Sequence, residues 1–145
     1  MPSKLETVRP PAWLVSLLKR WQTILGLNDW HIGLGLGLCP MNDPRALASV
    51  DTDPQANAAK ITIRADIEDS REWRRYALHE LLHVAHCRID DCVEEAIIKS
   101  LPHDARMLAR RVYNQHLEAF IEQMAAGLVR FERADSGLAK GRKKK

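Results

Sequence analysis

His79-Glu80-Leu81-Leu82-His83 is the stretch of this chain whose residue types and spacing suit a metal site with a base beside it. Positions i and i+4 of an α-helix lie about 40° apart around the axis and one turn along it, so both imidazoles reach a single ion. Glu80 falls on the flank of that pair. There a carboxylate can take a proton from a water on the metal without itself binding the ion. The H-E-x-x-H spacing points to zinc, Zn2+.

Two histidines do not complete such a site, because a catalytic zinc usually takes three protein ligands and keeps one position open. Glu118-Ala-Phe-Ile-Glu122 supplies the best candidates. Its two carboxylates are again i and i+4, stacked on one helix face at the margin of an apolar stripe. One could bind the ion while the other holds the free N–H of a ligand histidine and so fixes its tautomer. A third histidine is the other option, His103 or His116. His116 lies on the opposite border of the stripe from Glu118, so the two cannot face one ion, and Glu118 is preferred. His86 is two turns beyond His79, too far along to share the metal, and His31 has no partner pattern. Oxyanion donors can come from Tyr113 or His116, with Tyr76 and His103 also available.

His79-Glu-Leu-Leu-His83 followed by Glu118-Ala-Phe-Ile-Glu122 resembles the gluzincin pattern, in which H-E-x-x-H precedes a glutamate ligand and an acidic residue four further on. The layout is similar to compact single-domain gluzincin-like proteins, many of them phage-encoded. The resemblance implies a zinc metallopeptidase with His79, His83 and Glu118 as metal ligands, Glu80 as general base and Glu122 as the carboxylate behind a histidine. Glu122 departs from the commoner aspartate at that place. A metzincin pattern fails, since His86 and Ile89 stand where a glycine and a third ligand are required. The resemblance also covers latent members, so a non-catalytic, metal-binding regulatory or interaction protein of the same fold is the second reading.

The elements that must position these residues are readable from periodicity. Pro10 and Pro11 open a helix over 12–25 with Trp13, Leu14, Leu17, Leu18, Trp21 and Leu25 at helical spacing, and Gly26 ends it. Residues 30–38 alternate between an apolar face and one of His31, Gly33, Gly35 and Gly37, a strand whose bare face suggests a closely packed helix. Residues 40–45 read as a loop, and 46–52 and 59–64 as two strands joined by a turn at Asp53-Pro-Gln-Ala-Asn57. Asp69 and Glu72 fit a capping box opening the motif helix, 70–86. A short helix near 91–99 and a long one over 104–132 follow, the latter with Val112, Leu117, Phe120, Ile121, Met124 and Leu128 as its stripe. The expected fold is α+β: a single zincin-like domain over 10–133, with an N-terminal helix, a small, mainly antiparallel three-stranded sheet, the H-E-x-x-H helix and a long C-terminal glutamate helix. Residues 1–9 form an extension and 134–145 a basic disordered tail.

Composition bounds the rest. With 145 residues, 46% hydrophobic and 28% charged, the chain is of ordinary one-domain size and make-up. No signal-peptide core or membrane-length apolar run is visible, and an odd set of three cysteines (Cys39, Cys87, Cys92) suits buried free thiols, so a cytoplasmic location is expected. The expected partner is a peptide or protein substrate, with an edge strand at 46–52 available to align it. The net charge of +3 is modest and concentrated in Lys140-Gly-Arg-Lys-Lys-Lys145. That run supports weak, salt-sensitive attraction to nucleic acid, not a reader of it.

Overall fold

Two consecutive prolines pre-set the backbone at the start of α1, Ala12–Ile24, which buries Leu14, Leu18 and Trp21 at spacings of four and three. Gly26, at φ +71°, provides the left-handed residue that turns the chain out of the helix. In this computed structural model the described residues are 8–37, 46–67 and 69–142, without the side chains of residue 70 and of 135–142. Cys39, the loop at 40–45 and most of the N-terminal extension therefore lie outside them.

Three strands follow: β1 His31–Gly37, β2 Ala48–Asp53 and β3 Ala58–Arg64. β2 and β3 form the expected antiparallel hairpin. Its turn is built by Asp53, whose Oδ1 accepts the N–H groups of Gln55 and Ala56, and by Asn57 in the left-handed region at φ 49°. β1, however, pairs parallel with β3, giving the order β1-β3-β2 and a mixed sheet in place of a mainly antiparallel one. The reason is in the residues. β3 carries Ala59, Ile61, Thr62 and Ile63 buried, whereas β2 ends in the exposed run Asp51-Thr52-Asp53, so β3 takes the centre and β2 an edge. The glycine face of β1 is also not a helix seat. Among the described residues, a Cβ on Gly33 would meet only the Ala59 carbonyl oxygen, at 3.9 Å, and one on Gly35 or Gly37 would meet nothing within 4 Å.

α2 runs unbroken from Ser70 to Ala96, with the Asp69 carboxylate capping the Arg71 N–H at 2.9 Å. The expected break after His86 does not occur, because residues 87–92 contain neither glycine nor proline to stop the helix. A 3-10 turn, Ile98–Ser100, and Pro102 then reverse the chain into α3, His103–Arg142. The segment expected as a disordered tail is thus helical as far as Arg142. In α3 the buried line is Ile121, Ala125 and Val129, while Val112, Phe120 and Met124 of the expected stripe are exposed. α2 is the centre of the molecule. Ala77, Leu78, Leu81 and Val84 are each within 1% of full burial, in one core with Leu14 and Leu18 of α1, Ile61 and Ile63 of β3, and Ile121 of α3.

Candidate metal centre

His79 and His83 stand at the edge of the buried arc of α2, facing α3. Their Nε2 atoms are 3.2 Å apart. The Glu118 carboxylate straddles them, with Oε2 3.4 Å from Nε2 of His79 and Oε1 3.3 Å from Nε2 of His83. The three residues offer ligand atoms all within 4.8 Å of one another, and this cluster could hold a metal ion. His116 is exposed and stays outside it, as does His103, whose contact is with Asp104. Burial lowers the His83 pKa more than the Glu118 charge raises it, which keeps the ring in the neutral form that can donate a lone pair.

Glu122 lies one turn beyond Glu118 on α3. Its Oε2 is 3.2 Å from Nδ1 of His79, and its Oε1 accepts a hydrogen bond from Nη1 of Arg75 at 2.9 Å. A proton on Nδ1, on the side of Glu122, would leave the His79 Nε2 lone pair to face the cluster. Arg75 also donates from Nη2 to the Tyr76 hydroxyl at 3.3 Å. The seam therefore runs Tyr76, Arg75, Glu122, His79, Glu118, His83. Further along it, Tyr113 donates to Oδ1 of Asp90 at 2.6 Å and Arg110 pairs with Glu94. The antiparallel passage of α3 over α2 sets the order: positions rise on α2 as they fall on α3.

Glu80 is 8% exposed, and burial, helped by the Glu118 charge, pushes its pKa up to about 7. Among the described residues it lines two cavities. One, of about 280 Å³, is walled by Leu47, Ala48, Tyr76, His79, Glu80 and Glu122. The other, of about 300 Å³, is walled by Val50, Thr52, Glu80, His83, Cys87 and Asp90. Both lie between α2 and the edge strand β2, which turns Ala48, Val50 and Thr52 toward the cleft at the two-residue period of a strand. Among the described residues no strand pairs with the outer side of β2.

Tyr113 and His116 are not among the residues lining either cavity, and Tyr113 has its hydroxyl proton engaged by Asp90. Burial and that carboxylate push its pKa up to about 12. Tyr76, Arg75, Cys87 and Asp90 are the residues sequence reasoning undervalued. The signal was there: Arg75 and Tyr76 precede His79 by four and three, and Cys87 and Asp90 follow His83 by four and seven, so all share its helix face. Cys87 is buried, with burial raising its thiol pKa, while Cys92 is exposed and not a buried thiol as expected. Among the described residues no helix is long and apolar enough to cross a membrane. No family model, curated protein or solved structure matches this chain, so the geometry carries the functional reading.

Proposed function

We propose that this protein is a zinc-dependent metallopeptidase of gluzincin type, with His79, His83 and Glu118 as the metal ligands. What supports zinc is the donor set and its spacing. A tetrahedral ion with bonds of about 2.0–2.1 Å sets its ligand atoms about 3.3 Å apart. The two imidazole nitrogens are 3.2 Å apart and each lies 3.3–3.4 Å from a Glu118 oxygen. Two imidazoles and a carboxylate suit zinc better than the all-oxygen cations magnesium or calcium. Bound there, zinc would polarise a peptide carbonyl and lower the pKa of a coordinated water toward about 7.

The chain's own groups supply the rest. Glu80, whose proton affinity is tuned to neutrality by its burial, takes the proton of the attacking water and passes it to the leaving amine. Glu122 holds the His79 ring in the ligating tautomer, and Arg75 holds Glu122. Tyr76 takes the oxyanion-donor role first considered for Tyr113 and His116. Its hydroxyl accepts from Arg75 and keeps its own proton to donate into the cavity it shares with Glu80 and His79. The outer edge of β2, with which no described strand pairs, aligns an extended peptide by backbone hydrogen bonds.

The observation that carries the reading is a buried glutamate beside a convergent His-His-Glu cluster, in a cleft bordered by a strand edge that no described strand covers. The test is Glu80→Gln, compared with wild type for zinc content and for hydrolysis of a denatured-protein peptide mixture. Zinc retained with turnover down by about 10²–10⁴-fold is expected. Equal turnover in the two proteins, or none in zinc-loaded wild type, would point to the non-catalytic module instead.

A further inference from the structure

We infer that the cavity between Glu80 and Asp90 is a side-chain pocket for a lysine or arginine of the peptide substrate, with Asp90 as its specificity determinant. This rests on the peptidase reading above and names the substrate class for it.

The cavity adjoins the candidate metal site directly, since Glu80 and His83 form one end of its lining and Cys87 and Asp90 the other. Val50 and Thr52 of β2 give it an aliphatic wall on which the methylene stem of a long side chain can lie. Among the described residues lining it, Asp90 is the only charged group other than Glu80, and none is a lysine or arginine. Its carboxylate is held in place. The Tyr113 hydroxyl donates to Oδ1 at 2.6 Å, and no described residue donates to Oδ2, which leaves that oxygen for a ligand. A phenol fixes the carboxylate without cancelling its charge.

The surroundings reinforce the sign. Asp91 follows directly, and β2 ends in Asp51-Thr52-Asp53 at the Thr52 end of the cavity. The neighbouring cation is turned away: Arg88 donates to Oδ1 of Asn57 and lies over the Trp30 ring, 5.8 Å from its centroid. The cavity on the other side of Glu80 is different, with Leu47, Ala48 and Tyr76 in its wall. A peptide paired along β2 repeats its side-chain direction every second residue, about 7 Å. It would thus present an apolar or aromatic side chain at Tyr76 and a basic one at Asp90.

The test uses the full zinc-loaded chain and a degenerate peptide mixture, with cleavage sites mapped by mass spectrometry. Lysine and arginine should be enriched at one fixed position beside the scissile bond. Asp90→Asn should reduce kcat/KM for such a substrate about 10- to 100-fold, the scale of a lost charged hydrogen bond, and leave its norleucine analogue unchanged. Asp90→Lys should favour glutamate at that position, and Tyr113→Phe, which keeps the charge, should keep the basic preference. Cleavage without basic enrichment, or with enrichment that survives Asp90→Asn, would overturn the pocket and leave the peptidase reading intact. A second readout is binding of a fluorescent lysine peptide to zinc-loaded Glu80→Gln. Binding that Asp90→Asn abolishes, with no cleavage by wild type, would uphold the pocket and sink the peptidase reading. Absence of both would overturn both.

Discussion

Oε2 of Glu122 lies 3.2 Å from Nδ1 of His79, while the other oxygen of the same carboxylate takes the Arg75 guanidinium at 2.9 Å. One side chain of α3 thus sits between a ring and a guanidinium that both belong to α2. Arg75 and Glu122 are about a third to a half exposed, so as an ion pair they contribute little to stability. In the proposed zinc site their role would be to place a lone pair.

Glu122→Gln and Glu122→Ala therefore weaken zinc binding without unfolding the protein. The expected loss in affinity is about 10- to 100-fold, measured by competition with a chromophoric zinc chelator. Affinity unchanged in both variants would remove Glu122 from the account.

Tyr76→Phe separates the two tyrosines that the sequence offered as oxyanion donors. Loss of the hydroxyl that lines the Glu80 cavity should lower kcat by about 10²-fold with zinc content and KM little changed. Tyr113→Phe should leave kcat for apolar substrates near wild type, because its hydroxyl is directed at Asp90. The reverse pattern would exchange their roles.

In the metal-free protein, Glu80 makes stability pH-dependent. Its folded pKa is raised to about 7 from an ordinary 4.5, so between those values the unfolded chain releases a proton that the folded one retains. Stability contributed by the neutral carboxyl is full below pH 4.5 and is lost as pH rises through about 7, to a total of about 3 kcal/mol. His83, with its pKa lowered by burial, acts in the opposite direction as pH falls below 6.5. Glu80→Gln isolates the glutamate. Urea midpoints of chelator-treated wild type and variant should diverge from pH 5 to 8 in favour of the variant and converge below about 4.5. Parallel curves would contradict the buried, neutral carboxyl.

Ile121 is fully buried between Glu118 and Glu122 on α3 and fixes how that face meets α2. Ile121→Ala should cost about 2–5 kcal/mol in denaturant unfolding, and zinc should recover part of the lost midpoint by binding only the folded state.

The candidate site was legible to the extent that it depends on helical spacing. His79 with His83, and Glu118 with Glu122, are each a local i, i+4 relation, and two such pairs on facing helices meet once the helices pack. Local reasoning also found the β2–β3 hairpin, because Asp53 and Asn57 carry its turn. It failed where partners are distant. Nothing within residues 31–37 says that β1 joins β3 and not β2; that depends on β3, a distant segment, being the more buried strand. Of the expected α3 stripe, Leu117, Ile121 and Leu128 pack against the core, where Ala125 and Val129 join them, whereas Val112 and Met124 are exposed and the half-exposed Phe120 meets the His86 ring edge-on. The continuation of α2 past His86 was missed as well, and with it Asp90, which completes the second cavity only because the helix does not end.

The measurement that bears most directly on the central claim is zinc per folded chain, by elemental analysis, for wild type, His83→Ala, Glu118→Ala and His116→Ala. Wild type and His116→Ala should each hold close to one zinc, and His83→Ala and Glu118→Ala should lose it while keeping the wild-type circular dichroism spectrum. A wild-type chain that takes up no zinc when supplied with it, or a Glu118→Ala protein that binds as wild type does, would contradict the His79-His83-Glu118 centre.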